Sequence, residues 1–409
     1  MLNANGGEGW PRVAYESAAW LVSAESGLSR RQQTVNRETY DAAVVPRIAE
    51  TRFSLASDLA ADLDEATAAL VRLDARADAL LETDSGLAPL PSVLLRTESS
   101  SSSEIEGLTA SARKLALAEL GEASGPNAMQ IAGNVRAVEA ALRLAEEPGV
   151  ESVLAMHATL LRDEPRHTPG ELRTVQVWIG GGAGPRIASF VPPRAERVRG
   201  DLEDLAAFVA RDDIPSLAHA SLAHAQFETI HPFTDGNGRT GRALVHAMLR
   251  RAGTTRRVAT PISAGLLTDP EGYFVALGAY RDGDIRPILE TFARSARQAG
   301  IFGGELVDEL AAVRAGMRER TTARADSSAW RVIDLAIAHP VLNVRLVAAR
   351  LRVSVPAATN ALQSLETAGV LRRTSAGRRN RVWQSDDVLA ALDGFAERIR
   401  RSVPARTGG

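Results

Sequence analysis

The stretch Ile230-His-Pro-Phe-Thr-Asp-Gly-Asn-Gly-Arg-Thr-Gly-Arg242 packs one histidine, one acid, three glycines and two arginines into thirteen positions. It joins "SLAHASLAHAQFET" to "ALVHAMLRRAG", both rich in good helix formers. A plain joint between two helices has no use for so many polar, backbone-baring residues. His231 stands at the end of the first helix, and Pro232 forces the chain to turn there. Gly236 and Gly238 let the backbone bend tightly and bring its N–H groups close to a bound group. A helix starting near Asn237 offers unpaired amide donors and the positive end of its dipole, a ready anion site. Arg239 and Arg242 share one helix face and can grip phosphate oxygens with paired bonds. Asp235 supplies a hard oxygen suited to Mg²⁺ held between protein and phosphates. His231, with an ordinary pKa of ~6.5, can take a proton from a hydroxyl near neutral pH. Base, metal ligand and anion cradle fall within one turn, the set that transfer of a phosphorus group requires. A surface loop with a capping histidine is the bland alternative, and it leaves the acid, glycines and arginines unexplained.

Composition narrows the field. The chain has 409 residues, an apolar share of 45%, a charged share of 24% and a net charge of −2. It is long enough for two or three domains and gives no global reason to bind polyanions. There is no cysteine, which removes disulfides, thiol nucleophiles and Cys-based zinc sites and fits a reducing compartment. Lys114 is the one lysine and sits in "SARKLAL" with no glycine loop before it, so P-loop and protein-kinase chemistry are unsupported. No apolar run reaches the ~18 residues that span a bilayer. "MLNANGGEGWPRV" lacks a basic-then-apolar signal pattern, so a soluble, cytoplasmic protein is expected. The remaining histidines build no metal site by spacing. His224 and His246 are expected to be core or supporting groups, and His157, His167 and His339 structural or surface ones.

The coarse pattern is mainly helical. Residues 1 to about 50 read as irregular, with an extended piece near "YDAAVVPRIAE". Helices are expected at 54–81, from Ser92, and at 111–121, 127–147, 150–162, 194–211, 215–230, 238–252 and 286–318. "TVQVWIGGGAGPRIASFVPP", 174–193, reads as two β-prone arms around a Gly-rich turn, a hairpin. "RERTTARADSSAW" reads as a linker to a C-terminal module. That module has the cadence of a winged helix-turn-helix: helices near 327–338, 343–351 and 356–368, then a wing at 370–384. Arg372, Arg373, Arg378, Arg379 and Arg381 make the wing basic, as a phosphate-contacting wing would be.

The run His231 to Arg242 resembles the signature of the Fic family at every defining position. "PGELRTVQVWIGG" and "VPP" resemble the family's target-binding flap, and "RTESSSSSEIEGL" its N-terminal region, so the likeness spans roughly residues 40–295. The resemblance implies a helical core at 111–318 with a flap at 174–193, preceded by an N-terminal helical region at 1–110 and followed by the winged helix at 319–409. It implies transfer of AMP from ATP to a hydroxyl side chain of a target protein. His231 would deprotonate that hydroxyl, and Asp235 would hold Mg²⁺ between the α- and β-phosphates. Asn237 and the amides of Gly236 and Gly238 would form an anion hole, while Arg239 and Arg242 contact the phosphates. Phe233 would anchor the loop, and Tyr273 and Tyr280 are candidates to line the nucleoside pocket, core packing being the alternative for both. Gly236 favours AMP transfer, because relatives that phosphorylate tend to lack that glycine.

The resemblance also implies an internal brake. "TESSSSSEIEGL" on its own reads as a serine-rich linker. In the family, a helix carrying [ST]xxxE[GN] obstructs the site, and Ser102, Glu106 and Gly107 fit that pattern within a helix near 98–107. Glu106 would neutralise Arg242, and the same glutamate supports AMP removal in some relatives. The partners implied are a target protein at the flap, the chain itself as a substrate, a homodimer, and DNA through 327–385. The rival reading is a DNA-binding regulator that uses the Fic core as a nucleotide sensor.

Overall fold

The computed structural model describes residues 9–19, 39–79, 89–122, 124–146, 149–164, 166–180, 182, 184–374 and 381–403. These residues are mostly helical, with two small sheets among them, and the chain divides into two compact units interleaved along the sequence. One unit comprises residues 1–63, 140–252 and 271–292; the other comprises 64–139, 253–270 and 293–409. No described helix is long and apolar enough to cross a membrane.

The first unit opens with an antiparallel pair, β1 (Ala14–Ala19) and β2 (Thr39–Val44), registered from Ala14 opposite Val44 to Ala19 opposite Thr39. Only part of β2 was legible in advance. β1, "AYESAA", is short and mostly exposed, so its stability comes from pairing and leaves little trace in an apolar pattern. The segment 174–193 departs from the expected hairpin. Among its described residues, one antiparallel bridge, Ile179 to Phe190, and a single 3₁₀ turn, Pro185–Ile187, are all the regular structure. Its return arm is held instead by β2, where the Ala43 amide donates to the Val191 carbonyl at 3.0 Å.

Four helices of this unit lie close to the expected spans: α5 (Val150–Leu160), α6 (Ala195–Val209), α7 (Ser216–Ile230) and α8 (Asn237–Arg251). A further one, α10 (Pro270–Arg281), was not expected. Every residue of α7 from Leu217 to Ile230 is buried. A helix covered on all sides is a central one. Its neighbours use small residues to come close: a Cβ on Gly241 would lie 2.8 Å from the Phe227 ring. Trp10 seals one end, with ring centroids 5.4 Å from Phe53 and 5.7 Å from Tyr280.

The second unit contains α1 (Ser57–Ala79) from Asp64 onward, α2 (Pro89–Ile105), α3 (Ala112–Glu119) and α4 (Pro126–Arg143) up to Glu139. It also holds the short α9 (Ile262–Leu266), the later part of α11 (Arg286–Arg320), α12 (Ser328–Ala338), α13 (Val344–Leu351), α14 (Val355–Thr367) and α15 (Asp386–Ser402). Three strands, β3 (Val341–Asn343), β4 (Arg372–Arg373) and β5 (Val382–Gln384), form an antiparallel sheet in the order β3-β5-β4. Buried polar groups stitch the unit together. Asp74 accepts the amides of Arg256, Arg257 and Val258, and Glu98 accepts both the amide and the hydroxyl of Ser263. Arg96 spans Glu119 at 2.7 Å and the Ala338 carbonyl at 2.9 Å.

The serine run is a helix rather than a linker. Ser99 and Ser103 each donate back to the carbonyl four residues earlier, and Asn134 donates to Ser99 O and Ser103 Oγ. Serine hydroxyls satisfied within a packed helix need no water, which lets a polar run be buried. Gly107, at φ +77°, then stops α2, with the Leu108 amide donating to the Ser103 carbonyl.

The arginines expected to arm the wing are partly spoken for. Arg372 binds Asp386 at 2.5 and 2.8 Å, and Arg373 lies 3.7 Å from Glu366. Arg378 and Arg379 lie outside the described residues.

Candidate active site at the 230–242 loop

The loop sits between two buried helices, so each of its polar groups has to be placed by the fold. His231 caps α7 in the left-handed region, at φ 49° and ψ 63°. That conformation costs a non-glycine residue about 1–3 kcal/mol. The side chain is 21% exposed, and its Nδ1 lies 3.8 Å from the nearly buried Glu228 carboxylate one turn back. Phe233 is fully buried and stacks on His157 at 3.6 Å between centroids and 6° between planes, as an anchor should. Asn237 turns its side chain back on the loop: Oδ1 accepts the Phe233 amide and Nδ2 donates to the Phe233 carbonyl, both at 2.9 Å. Helix geometry gives the amides at the start of α8 no internal acceptor.

Gly236 occupies φ +76°, and a Cβ there would lie 2.9 Å from Leu160 Cδ2. Conformation and contact both demand glycine, independently of any role in choosing a substrate pose. The Asp235 carboxylate is 44% exposed and lies 3.4 Å from both His167 Nε2 and Arg239 Nη2. Arg239 and Arg242 are themselves buried, at 4% and 3%. Among the described residues no cluster of three His, Cys, Asp or Glu side chains could cage a metal. One exposed carboxylate next to an amide row does suit Mg²⁺, which prefers one or two carboxylates together with substrate phosphates.

His157 and Arg173 hold this arrangement and were not legible as such. The Gly170 amide donates to His157 Nδ1 at 3.0 Å, so Nε2 carries the proton and donates to the Asp235 carbonyl at 3.1 Å. Burial pushes this imidazole down to about 4, which keeps it neutral. Arg173 reaches the carbonyls of the residues on either side of the loop's start. The "HTPGELR" stretch of 167–173 carries the only sequence signal for either, a turn that brings His167 to Asp235 and Gly170 to His157.

Other expected members sit deeper. Tyr273 is 1% exposed and shares a 2.7 Å hydrogen bond with His224, so it packs inside the unit rather than at a surface. Burial, with Arg242 as a second cause, pulls His224 down to about 3. His219 bonds to the Phe208 carbonyl at 2.8 Å, and His246 is buried. In the other unit, Ser102 is buried in α2, while Glu106 and Gly107 are exposed just past its end.

Residues 148–249 match the Fic/DOC family, from the start of α5 to the last turn of α8. The chain is 30% identical over 152 residues to protein adenylyltransferase fic-1 of Caenorhabditis elegans, covering 36% of this chain and 27% of that protein. It is 29% identical over 157 residues to protein adenylyltransferase Fic of Nematostella vectensis, covering 37% and 33%. The chain thus spans about a third or less of the length of these relatives. A Fic family protein from Desulfovibrio desulfuricans G20 superposes with a TM-score of 0.49 at 20% identity, over 81% of this chain and 97% of that one.

Proposed function

We propose, on the premise that residues 148–249 are a Fic domain, that this chain transfers AMP from ATP to a hydroxyl side chain of a target protein. The observation that carries the reading is the folded loop itself. One stretch holds a partly exposed imidazole at the end of α7, an exposed carboxylate, a helix N-terminus and two arginines. The relatives that match this region are named adenylyltransferases.

His231 takes the proton of the target hydroxyl; its oxygen bonds to the α-phosphorus, and the bond to the pyrophosphate oxygen breaks. The amides at 236–238 and the Arg239 and Arg242 guanidiniums stabilise charge on the phosphates, which is positioning and electrostatics rather than covalent chemistry. Asp235 is the residue that would hold Mg²⁺, whose contribution is charge neutralisation at the phosphates. Target recognition is assigned to the 174–193 segment, where backbone pairing needs little target sequence.

Ser102, Glu106 and Gly107 are read as a brake, with Glu106 acting on Arg242; this rests on the sequence pattern at the end of α2. The same glutamate makes AMP removal a reverse activity to test. The module of α12 to β5 is read as a winged helix with a structural or partner-binding role. DNA contact is the weaker reading for it, because Arg372 and Arg373 are engaged by Asp386 and Glu366. The test supplies ATP labelled at the α- or the γ-phosphorus to the wild type and to Glu106→Gly. Retention of α-label only, stronger in Glu106→Gly, is expected. Retention of γ-label means phosphorylation, and no label from either favours a nucleotide-sensing regulator.

A further inference from the structure

Arg173 lies just before the 174–193 segment and is 3% exposed. Its guanidinium makes an unusual set of bonds. Nε donates to the His231 carbonyl at 2.9 Å, Nη1 to the Val175 carbonyl at 3.1 Å, and Nη2 to the carbonyls of Ile230, at 3.5 Å, and Pro193. Its own amide donates to the Pro232 carbonyl at 3.0 Å. One planar fork therefore joins the last residues of α7 to both ends of the 174–193 segment. Every partner of that fork is a backbone carbonyl, so what it fixes is chain direction rather than another side chain.

The placement has a physical logic. Ile230 and His231 end a helix, so their carbonyls have no intrahelical donor and sit at the negative end of its dipole. A cation there satisfies both needs. Burial pulls the guanidinium down to about 10, with Tyr40, Asp201 and Glu196 acting the other way, so it stays charged at neutral pH. His231 meanwhile adopts a strained left-handed conformation. The bond to its carbonyl fixes the peptide plane that follows, and the Arg173 amide fixes the plane after Pro232. Together these set where the imidazole points.

We propose that Arg173 is a positioning residue that holds His231 in its reactive pose and ties that pose to the two ends of the target-binding segment. The proposal rests on the AMP-transfer reading for its kinetic consequence, though not for its geometric one. Arg173→Lys is the discriminating variant. It keeps the charge, but a single ammonium cannot span three segments in a plane. Arg173 touches neither the amides at 236–238 nor Arg239 or Arg242, so nucleotide binding should stay as it is.

The experiment measures three quantities on Arg173→Lys in the wild-type and Glu106→Gly backgrounds. These are kcat for α-label transfer, the Kd for a non-hydrolysable ATP analogue, and the imidazole NMR signals of His231, assigned by their loss in His231→Ala. A fall in kcat on the order of 10²-fold is expected, the scale of a displaced reacting group. The analogue Kd should stay within about twofold, and the His231 signals should shift or broaden while those of His224 hold. Unchanged kcat together with unchanged His231 signals overturns the proposal. So does a joint loss of kcat, analogue binding and the His224 signals, which would mark a residue needed only for folding. If the parental Glu106→Gly protein transfers no α-label, the AMP-transfer reading falls, and the NMR comparison still decides whether Arg173 positions His231.

Discussion

Two arginine pairs of this chain meet opposite fates. At the loop after α7, Arg239 and Arg242 are buried, and the carboxylate nearest Arg239 stands 3.4 Å away and half in solvent. On β4, Arg372 and Arg373 are exposed and each faces an acid, Asp386 at 2.5 Å and Glu366 at 3.7 Å. Solvated arginines with acid partners cost little and do little. Burying a guanidinium is costly, and a fold that buries two beside a helix N-terminus concentrates positive charge where an anion can use it. The same residue type thus marks a site in one place and a surface in the other, and burial tells them apart.

The largest expected effect breaks that comparison directly. Arg242→Ala should lower kcat/KM for ATP on the order of 10²–10³-fold, the scale of losing one preorganised donor to transition-state charge. Arg372→Ala should leave both kcat/KM and the melting temperature unchanged. Equal effects from the two substitutions would mean that burial does not separate them. Gly236→Ala is next. Its methyl meets Leu160 and its backbone must leave φ +76°, so transfer should drop roughly 10²-fold as the amides turn away. A steady-state assay beside a thermal melt distinguishes this from unfolding.

The smallest effect concerns pH. His157 has a folded pKa of about 4, below the ~6.5 of the unfolded chain, so the unfolded state binds more protons between those values. Its contribution to stability is therefore full above pH ~6.5 and lost as pH falls towards about 4. Chemical denaturation at pH 7 and pH 4.5 should show a loss for the wild type that is smaller in His157→Gln. An equal loss in both would mean that the stacked, neutral imidazole is not what titrates.

Much of this was legible in the sequence, for reasons that differ by region. The 230–242 loop announces itself because glycine, proline and charge cannot be spent there without purpose. The helices of the core follow from periodicity. The serine run of α2 is the helix that the resemblance implied near 98–107, against the linker that composition alone signals, and Ser99, Ser103 and Asn134 bury it through their own hydrogen bonds. The basic run from Arg372 misleads for a related reason. Asp386 lies outside the basic stretch, and only the fold brings it to Arg372. Arg173 was missed, and His157 was read only as structural or surface, because their partners are backbone groups and an aromatic ring, which leave no spacing to read. The β1–β2 pair and the single bridge at Ile179 belong to pairing, which one strand's residues do not specify.

The central claim is that the imidazole at the end of α7 drives AMP transfer. The most direct measurement follows protein-bound label from α-labelled ATP in Glu106→Gly, with His231 intact or replaced by alanine, alongside ATP binding in both proteins. Label with His231, a loss of at least 10²-fold without it, and equal ATP binding are expected. Equal labelling in the two proteins would contradict the account.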